Sequence, residues 1–106
     1  MVVQGDVWLT IFDPAPGREI QKTRPCVVVS PPELHDALPT VIVVPMTTGS
    51  RPARFRIPLA FDGKRGLILL DQLRTLDKVR LLKRLGKIPP KALRASLDGL
   101  QEMFAP

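Results

Sequence analysis

Proline divides this chain into short segments. There are 12 prolines among 106 residues, and each one fixes its own backbone angle and removes a hydrogen-bond donor. This spacing favours short strands and loops over long helices. The segments between the prolines are rich in Val, Ile and Thr, which are typical of strands. We therefore predict a mostly β chain that forms a single domain over residues 1–106.

Several segments carry the period-two pattern of a strand. Residues 5–12 alternate between two faces. Arg24 opens a second strand that runs through the apolar residues 25–29 to Ser30, and residues 40–46 are β-branched or apolar throughout. Residues 54–59 alternate basic and apolar side chains around Pro58, which predicts an edge strand. Asp62 and Gly63 predict a hairpin turn. Two further strands are predicted at 66–70 and 83–88, with a single helical turn within 75–82.

One helix is predicted, at the C-terminal end of the chain. Pro90 suits the first position of a helix. After it, Leu93, Leu97, Leu100 and Phe104 recur at helical spacing. We expect this stripe to cover the core of a small antiparallel barrel or sandwich formed by the strands.

The charge balance indicates an anionic partner. The chain has 16 Lys and Arg against 10 Asp and Glu, a net charge of +6. Nucleic acid, acidic proteins and anionic surfaces all attract such a chain, although a charge that only keeps the protein soluble is the plain alternative. No apolar stretch is long enough to span a membrane. Since no signal peptide is visible at the N-terminus, we expect a cytoplasmic protein.

The single cysteine and single histidine exclude two kinds of site. One cysteine cannot form an internal disulfide, and Cys26 with His35 cannot supply the usual ligands of zinc. We therefore expect no metal and no cofactor. Cys26 lies in an apolar run and is interpreted as a small buried hydrophobic residue.

Polar residues concentrate in three clusters, at 17–25, 45–50 and 71–78. None has the spacing of a Ser-His-Asp triad or of a phosphate-binding loop. Arginine, threonine and carboxylate side chains together do suit phosphate chemistry, since arginine holds two phosphate oxygens at once and threonine donates a hydrogen bond. The alternative is that these residues only cap loops and strand ends.

These clusters give the chain a family resemblance over residues 4–104. Lys22-Thr23-Arg24-Pro25 followed by 27–30, the segment 43–48 ending in Thr47-Thr48, and 70–77 containing Asp71 are similar to three blocks of the MazF/PemK (Kid) toxin endoribonucleases. The blocks occur in the same order and at similar spacing. The resemblance implies an SH3-like antiparallel barrel of the PemK/CcdB type with a C-terminal α-helix.

The family's activity then becomes an expectation for this chain. Its members are homodimeric toxins that cut single-stranded mRNA at short sequences without a metal ion, and an acidic antitoxin of the MazE type neutralises them. In this reaction the 2′-hydroxyl attacks the adjacent phosphorus, which leaves a 2′,3′-cyclic phosphate and a 5′-hydroxyl. DNA lacks that hydroxyl.

The resemblance also assigns roles to four catalytic candidates. Arg24 is the main catalytic residue, which stabilises the phosphorane, and Thr47 is its partner on a phosphate oxygen. Glu19 orients Arg24 or acts as a base, and Asp71 matches a carboxylate that some relatives use in acid–base work. Asp71 can instead cap a turn or form an ion pair with Arg74. We expect Arg74 itself to stabilise the barrel or the dimer rather than to take part in the reaction.

Two positions depart from the family pattern, since Leu69 stands where some relatives have arginine and Arg18 where some have histidine. The mechanism that depends on those groups is therefore less favoured than the one using Arg24 and Thr47. The residues expected to contact RNA are Arg18, Lys22, Thr48, Arg51, Arg54 and Arg56. The last three equally suit a solvated basic edge that discourages strand pairing.

Two other functions remain open from the sequence. A toxin of the same fold can bind DNA gyrase and cut nothing, as CcdB does. CcdB-type toxins depend on a C-terminal Trp-Gly-Ile, and this chain ends in Phe104-Ala105-Pro106. A non-catalytic RNA-binding barrel would bind RNA with a strong salt dependence and leave it intact.

Overall fold

A computed structural model describes residues 1–13, 22–49 and 51–106. In this part of the chain the strands and helices occur in the following order: β1 Asp6–Asp13, β2 Lys22–Val28, α1 Pro32–His35, β3 Thr40–Thr47, β4 Arg56–Phe61, β5 Lys64–Leu69, β6 Arg74–Asp77, β7 Leu81–Lys87 and α2 Pro90–Phe104. Single 3₁₀ turns at 70–72 and 78–80 precede β6 and β7. Within the described ranges, no helix is long and apolar enough to cross a membrane.

The strands form one antiparallel sheet that curls on itself. Its order is β4-β5-β3-β2-β1-β7, and β6 pairs with the first half of β3. β3 is central because it also pairs with β2 and, at Met46 and Thr47, with β5. The curl brings the edge strands together, since a Cβ on Gly86 of β7 would lie 3.4 Å from the Phe61 ring of β4. The prediction of a small antiparallel barrel with a C-terminal helix is confirmed, and the barrel is half open.

The central strands are buried on both faces, which explains their unbroken apolar sequence. Val27 and Val44 lie in the larger core cluster, which β4, β5 and α2 cover. Cys26, Val28 and Val43 lie in a second cluster on the other face, where Trp8 and Leu81 pack. Trp8 therefore packs on this second cluster, and Phe61 packs against the larger one.

The predicted helix is present, but its apolar stripe is only half right. Leu93 and Leu100 pack against the larger cluster. Phe104, in contrast, is 69% exposed. The buried face is completed by Met103 and by Ser96, whose hydroxyl donates to the carbonyl of Ala92 at 2.8 Å. The face turned to the barrel is therefore rotated from the one that the leucine spacing indicates.

The strand predictions hold with shifted boundaries. β4 is an edge strand, as predicted, and Asp62 and Gly63 form the turn between β4 and β5. The single helical turn predicted within 75–82 is confirmed by the 3₁₀ turn at 78–80. The residues before it form β6, which was not predicted, because Thr75 and Leu76 pair with β3. The short helix α1 was not predicted.

Candidate active site

Two of the predicted site residues lie near the ends of neighbouring strands. Cys26 of β2 faces Pro45 of β3, where the pairing of these two strands ends, and Arg24 and Thr47 lie two residues beyond that pair on their own strands. Since side chains alternate along a strand, Arg24 and Thr47 share one side of the sheet with Cys26 and Pro45. Arg24 is exposed and Thr47 partly exposed, so both side chains are accessible to a ligand from solvent.

Two residues after Arg24, β2 carries the fully buried thiol of Cys26. The Cys26 Sγ lies 3.7 Å from the carbonyl oxygen of Arg24, to which it donates. Burial raises the pKa of Cys26 from 9.0 to about 12, against the smaller opposing effects of a hydrogen bond to Thr10 and of the positive charges on Arg24 and Arg74. The thiol is therefore protonated at neutral pH and is no nucleophile. Its interpretation as a small buried hydrophobic residue is confirmed.

The Thr47 hydroxyl is oriented by the turn that follows it. The backbone N–H of Gly49 donates to Thr47 Oγ1 at 3.3 Å, which leaves the hydroxyl hydrogen of Thr47 available for a phosphate oxygen. The backbone of Thr47 is held closely by β5, since a Cβ on Gly66 would lie 2.6 Å from its carbonyl oxygen. A side chain at position 66 would therefore displace Thr47.

Asp71 pairs with Arg56 across the β4 side of the barrel. Arg56 donates from Nε to Oδ1 at 3.1 Å and from Nη2 to Oδ2 at 3.0 Å. This hydrogen-bonded guanidinium lowers the pKa of Asp71, and the carboxylate in turn raises the pKa of Arg56. Asp71 is therefore ionised at neutral pH, when it can accept a proton but holds none to donate.

The other predicted RNA contacts divide into two groups. Thr48 and Arg51 are exposed. Arg54 and Arg56 are engaged in ion pairs, Arg54 with Glu102 of α2 and Arg56 with Asp71. The Arg54 guanidinium also lies 4.8 Å from the centre of the Phe55 ring. Both ion pairs tie the basic edge to the rest of the fold.

Part of the predicted site lies outside the described residues. Arg18 and Glu19 belong to the segment between β1 and β2 that the structure leaves undescribed, and of Lys22 only the backbone is described, opposite Asp13. Among the described residues, no three His, Cys, Asp or Glu side chains are grouped closely enough to hold a metal ion.

Sequence reasoning missed a cavity of about 320 Å³ beside Thr47. Its walls include Pro25 of β2, Phe61 of β4 and Leu85 of β7. These residues are distant in sequence and meet only because the sheet curls. Phe61 was the one available signal, since the chain has few aromatic residues.

Comparisons with known proteins give one consistent result. The family model described as "PemK-like, MazF-like toxin of type II toxin-antitoxin system" matches residues 3–104. The chain is 37% identical to Endoribonuclease PemK of Escherichia coli over 95% of its own length and 80% of that protein. It is 35% identical to Endoribonuclease MazF of Staphylococcus epidermidis over 80% and 76% of the two lengths.

Solved structures show the same likeness in three dimensions. A chain of the crystal structure of MazE-MazF (Form-II) from Deinococcus radiodurans superposes with a TM-score of 0.79 at 28% identity, over 96% of this chain and 94% of that one. The crystal structure of MazF (Form-I) from the same organism gives a TM-score of 0.75 at 27% identity, over 95% and 93%.

Proposed function

The chain belongs to the PemK-like, MazF-like family of type II toxins, and we propose that it cuts single-stranded RNA at short specific sequences without a metal ion. It is an endoribonuclease toxin, as its curated relatives are named over most of its length. The mRNA specificity and the cleavage chemistry are the proposed part.

The proposed reaction is an internal transfer of the phosphodiester. The 2′-oxygen of one nucleotide attacks its own 3′-phosphorus, and the bond from phosphorus to the 5′-oxygen of the next nucleotide breaks. The 2′-hydroxyl loses its proton and the departing 5′-oxygen gains one. The protein must therefore align the hydroxyl, stabilise the equatorial oxygens and move two protons.

The register between β2 and β3 is the observation that carries this proposal. Arg24 and Thr47 lie two residues beyond the paired Cys26 and Pro45, and both side chains are accessible, which suits one phosphate held by two groups. Arg24 would stabilise the charge that develops on the equatorial oxygens, because its guanidinium binds two oxygens at once. Thr47 would donate its free hydroxyl hydrogen to the same phosphate.

The proton transfers fall to the carboxylates. Arg24 is a poor base because an arginine keeps its proton at neutral pH. In the proposal Glu19 orients Arg24 or accepts the proton of the 2′-hydroxyl. Asp71 is ionised beside Arg56, so its place in the reaction is that of a base or of an electrostatic support.

The partners follow from charge and surface. A net charge of +6 favours both RNA and an acidic antitoxin of the MazE type. The likeness to the MazE-MazF structures supports antitoxin binding. A homodimer is part of the proposal, supported by apolar side chains left exposed at Val79 and Leu82.

Since mRNA is the proposed substrate, we place the protein in the cytoplasm.

Cleavage of a long unstructured RNA in excess EDTA tests the function. Wild type should give discrete cuts with 2′,3′-cyclic phosphate and 5′-hydroxyl ends. Arg24→Ala and Thr47→Ala should each lower the rate by about 10²–10³-fold, the usual effect of removing one group that stabilises developing charge. Arg94→Ala is the matched control. Arg94 is exposed on α2, and this substitution removes the same positive charge as Arg24→Ala.

Three results would contradict parts of the proposal. Loss of cleavage in EDTA would show that the reaction needs a metal. Salt-dependent RNA binding with no products would favour the non-catalytic barrel, and inhibition of gyrase supercoiling would favour the CcdB-like alternative. Full activity in Arg24→Ala or Thr47→Ala, with the fold retained, would overturn the site assignment.

A further inference from the structure

The cavity beside Thr47 lies where the two edges of the half-open barrel approach each other. The β4–β5 hairpin forms one side, through Phe61 and Lys64, and Leu85 of the opposite edge strand β7 forms the other. Its volume of about 320 Å³ is at the small end of the range for ligand pockets. The barrel thus offers one small cleft in contact with a candidate catalytic residue.

The cleft has apolar walls and a polar rim. Pro25 and Met46 line it from the central strands, and Phe61 and Leu85 line it from the edges. The polar residues that line it are Thr47, Thr48, Asp62 and Lys64, and the last three are exposed. A flat apolar ligand with polar groups along its edge would find both a surface to pack against and groups to hydrogen-bond.

We propose that this cleft binds the base of a nucleotide adjoining the cut, an inference that rests on the RNA cleavage proposed above. Phe61 supplies the aromatic surface for stacking, and Asp62 and Lys64 select the base. A carboxylate accepts hydrogen bonds from the N–H groups of a base, and an ammonium donates to its carbonyl or ring nitrogen acceptors.

The connection between base and phosphate explains why this ligand fits here. One sugar joins a base to its phosphate, so a nucleotide whose phosphate reaches Thr47 keeps its base within a few ångströms. Thr47 is the last residue of β3 and lines the cleft, while its side chain lies on the Cys26 side of the sheet, so the proposed phosphate site and the cleft adjoin around the end of this strand. Stacking of a base on an aromatic side chain is a common basis of single-strand binding, and the chain has only four Phe, one Trp and no Tyr.

The position of Asp62 and Lys64 at the hairpin turn suits them to selecting a base rather than to taking part in the cleavage reaction. Asp62 has φ of 53° in the two-residue turn, and Lys64 follows at the start of β5. Both side chains are exposed, so their replacement alters the rim and leaves the core intact. Asparagine tolerates the left-handed backbone, which makes Asp62→Asn a conservative change.

The test is cleavage of an RNA pool randomised in sequence, with sequencing of the cut ends. Wild type gives the base preference at each position near the cut. Lys64→Gln and Asp62→Asn should weaken that preference at one position by roughly tenfold, the usual effect of one selective base contact, while the other positions keep theirs. Leu85→Ser, on the other wall, should affect the same position.

Matched controls separate the cleft from a general loss of charge. Lys91→Gln and Asp98→Asn make the same charge changes on exposed positions of α2 and should leave every position's preference as in wild type. Thermal unfolding of each variant, followed by circular dichroism, shows that the fold is kept.

The outcomes distinguish the two levels of proposal. If wild type leaves the pool uncut, the proposed cleavage fails. If wild type cuts and the three cleft variants keep its preferences at every position, the base-binding inference is overturned. It is overturned equally if these variants keep the preferences and lose only their affinity for an acidic peptide, since the cleft would then bind a polypeptide.

Discussion

The Arg56–Asp71 pair gives a pH dependence that belongs to single residues. The pair lowers the pKa of Asp71 below its ordinary value of 3.8. A carboxyl group with a lowered pKa in the folded state stabilises the fold above pH 3.8 and loses this contribution as the pH falls through the lowered value. Asp71→Asn should therefore reduce stability slightly at neutral pH, and the difference from wild type should shrink in acid.

Thermal unfolding over a pH series measures this effect. Asp71 is 41% exposed in the pair, so the expected decrease of Tm at neutral pH is at most a few degrees. Asp98→Asn, on the outer part of α2, is the control for loss of one carboxylate. A difference between Asp71→Asn and wild type that grows in acid would show that the pair does not stabilise the folded state.

At the scale of residues, sequence reasoning named a candidate site but not the contacts of its members. The family blocks name Arg24 and Thr47 as candidates, and the two residues lie just beyond the last pair between β2 and β3. One alternative for Asp71 was a pair with Arg74, three residues away, and the structure pairs Asp71 with Arg56. The approach of these two depends on how β4 pairs with β5, where Arg56 faces Leu69, and the sequence does not specify that register.

The turn between β4 and β5 depends on a glycine in the left-handed conformation. Gly63 has φ of 77°, and a Cβ added there would meet nothing within 4 Å. Gly63→Ala should therefore destabilise through the backbone alone, by about 1 kcal/mol, the lower end of the cost of a left-handed conformation for other residues. Urea denaturation measures the change in the free energy of unfolding.

Gly49→Ala is the matched control for this prediction. Position 49 is equally open, but Gly49 is not among the glycines with positive φ. Its replacement should change the free energy of unfolding by no more than about 0.5 kcal/mol, as for most surface positions. Equal effects of the two substitutions would mean that the left-handed turn is not the cause.

At the scale of elements, local patterns predicted what local forces decide. The hairpin turn at Asp62 and Gly63 and the helix after Pro89 were found because their signals lie within a few residues. β6 was missed because Thr75 and Leu76 become a strand only through pairing with Ile42 and Val41. The helix face was misassigned because the barrel, rather than the leucine spacing, determines which residues it covers.

At the scale of the whole molecule, net charge predicted the kind of partner but not which charges are available. The excess of six positive charges applies to the chain as a sum. On the basic edge, Arg54 pairs with Glu102 and Arg56 with Asp71, so part of the charge expected to meet RNA is already compensated. Contacts between elements distant in sequence decide this distribution.

Removing the carboxylate that pairs with Arg54 tests whether this edge contacts RNA. Both side chains are well exposed, 73% for Arg54 and 60% for Glu102. Glu102→Gln should release the guanidinium for a phosphate. The affinity for an RNA blocked by 2′-deoxy substitution at the cut should rise. The logarithm of the RNA-binding constant should also fall more steeply with the logarithm of the salt concentration. The slope should steepen by about 0.7 for one additional phosphate contact.

Asp98→Asn separates this effect from the change in net charge. Asp98 lies on the same helix, one turn before Glu102, and is also exposed. Fluorescence anisotropy of the labelled RNA at several salt concentrations gives both slopes. A steeper slope in Glu102→Gln alone would mean that Arg54 binds RNA once released. Equal slopes in the two variants and wild type would mean that the basic residues around β4 form a solvated edge that keeps other strands away, and that RNA lies elsewhere on the barrel.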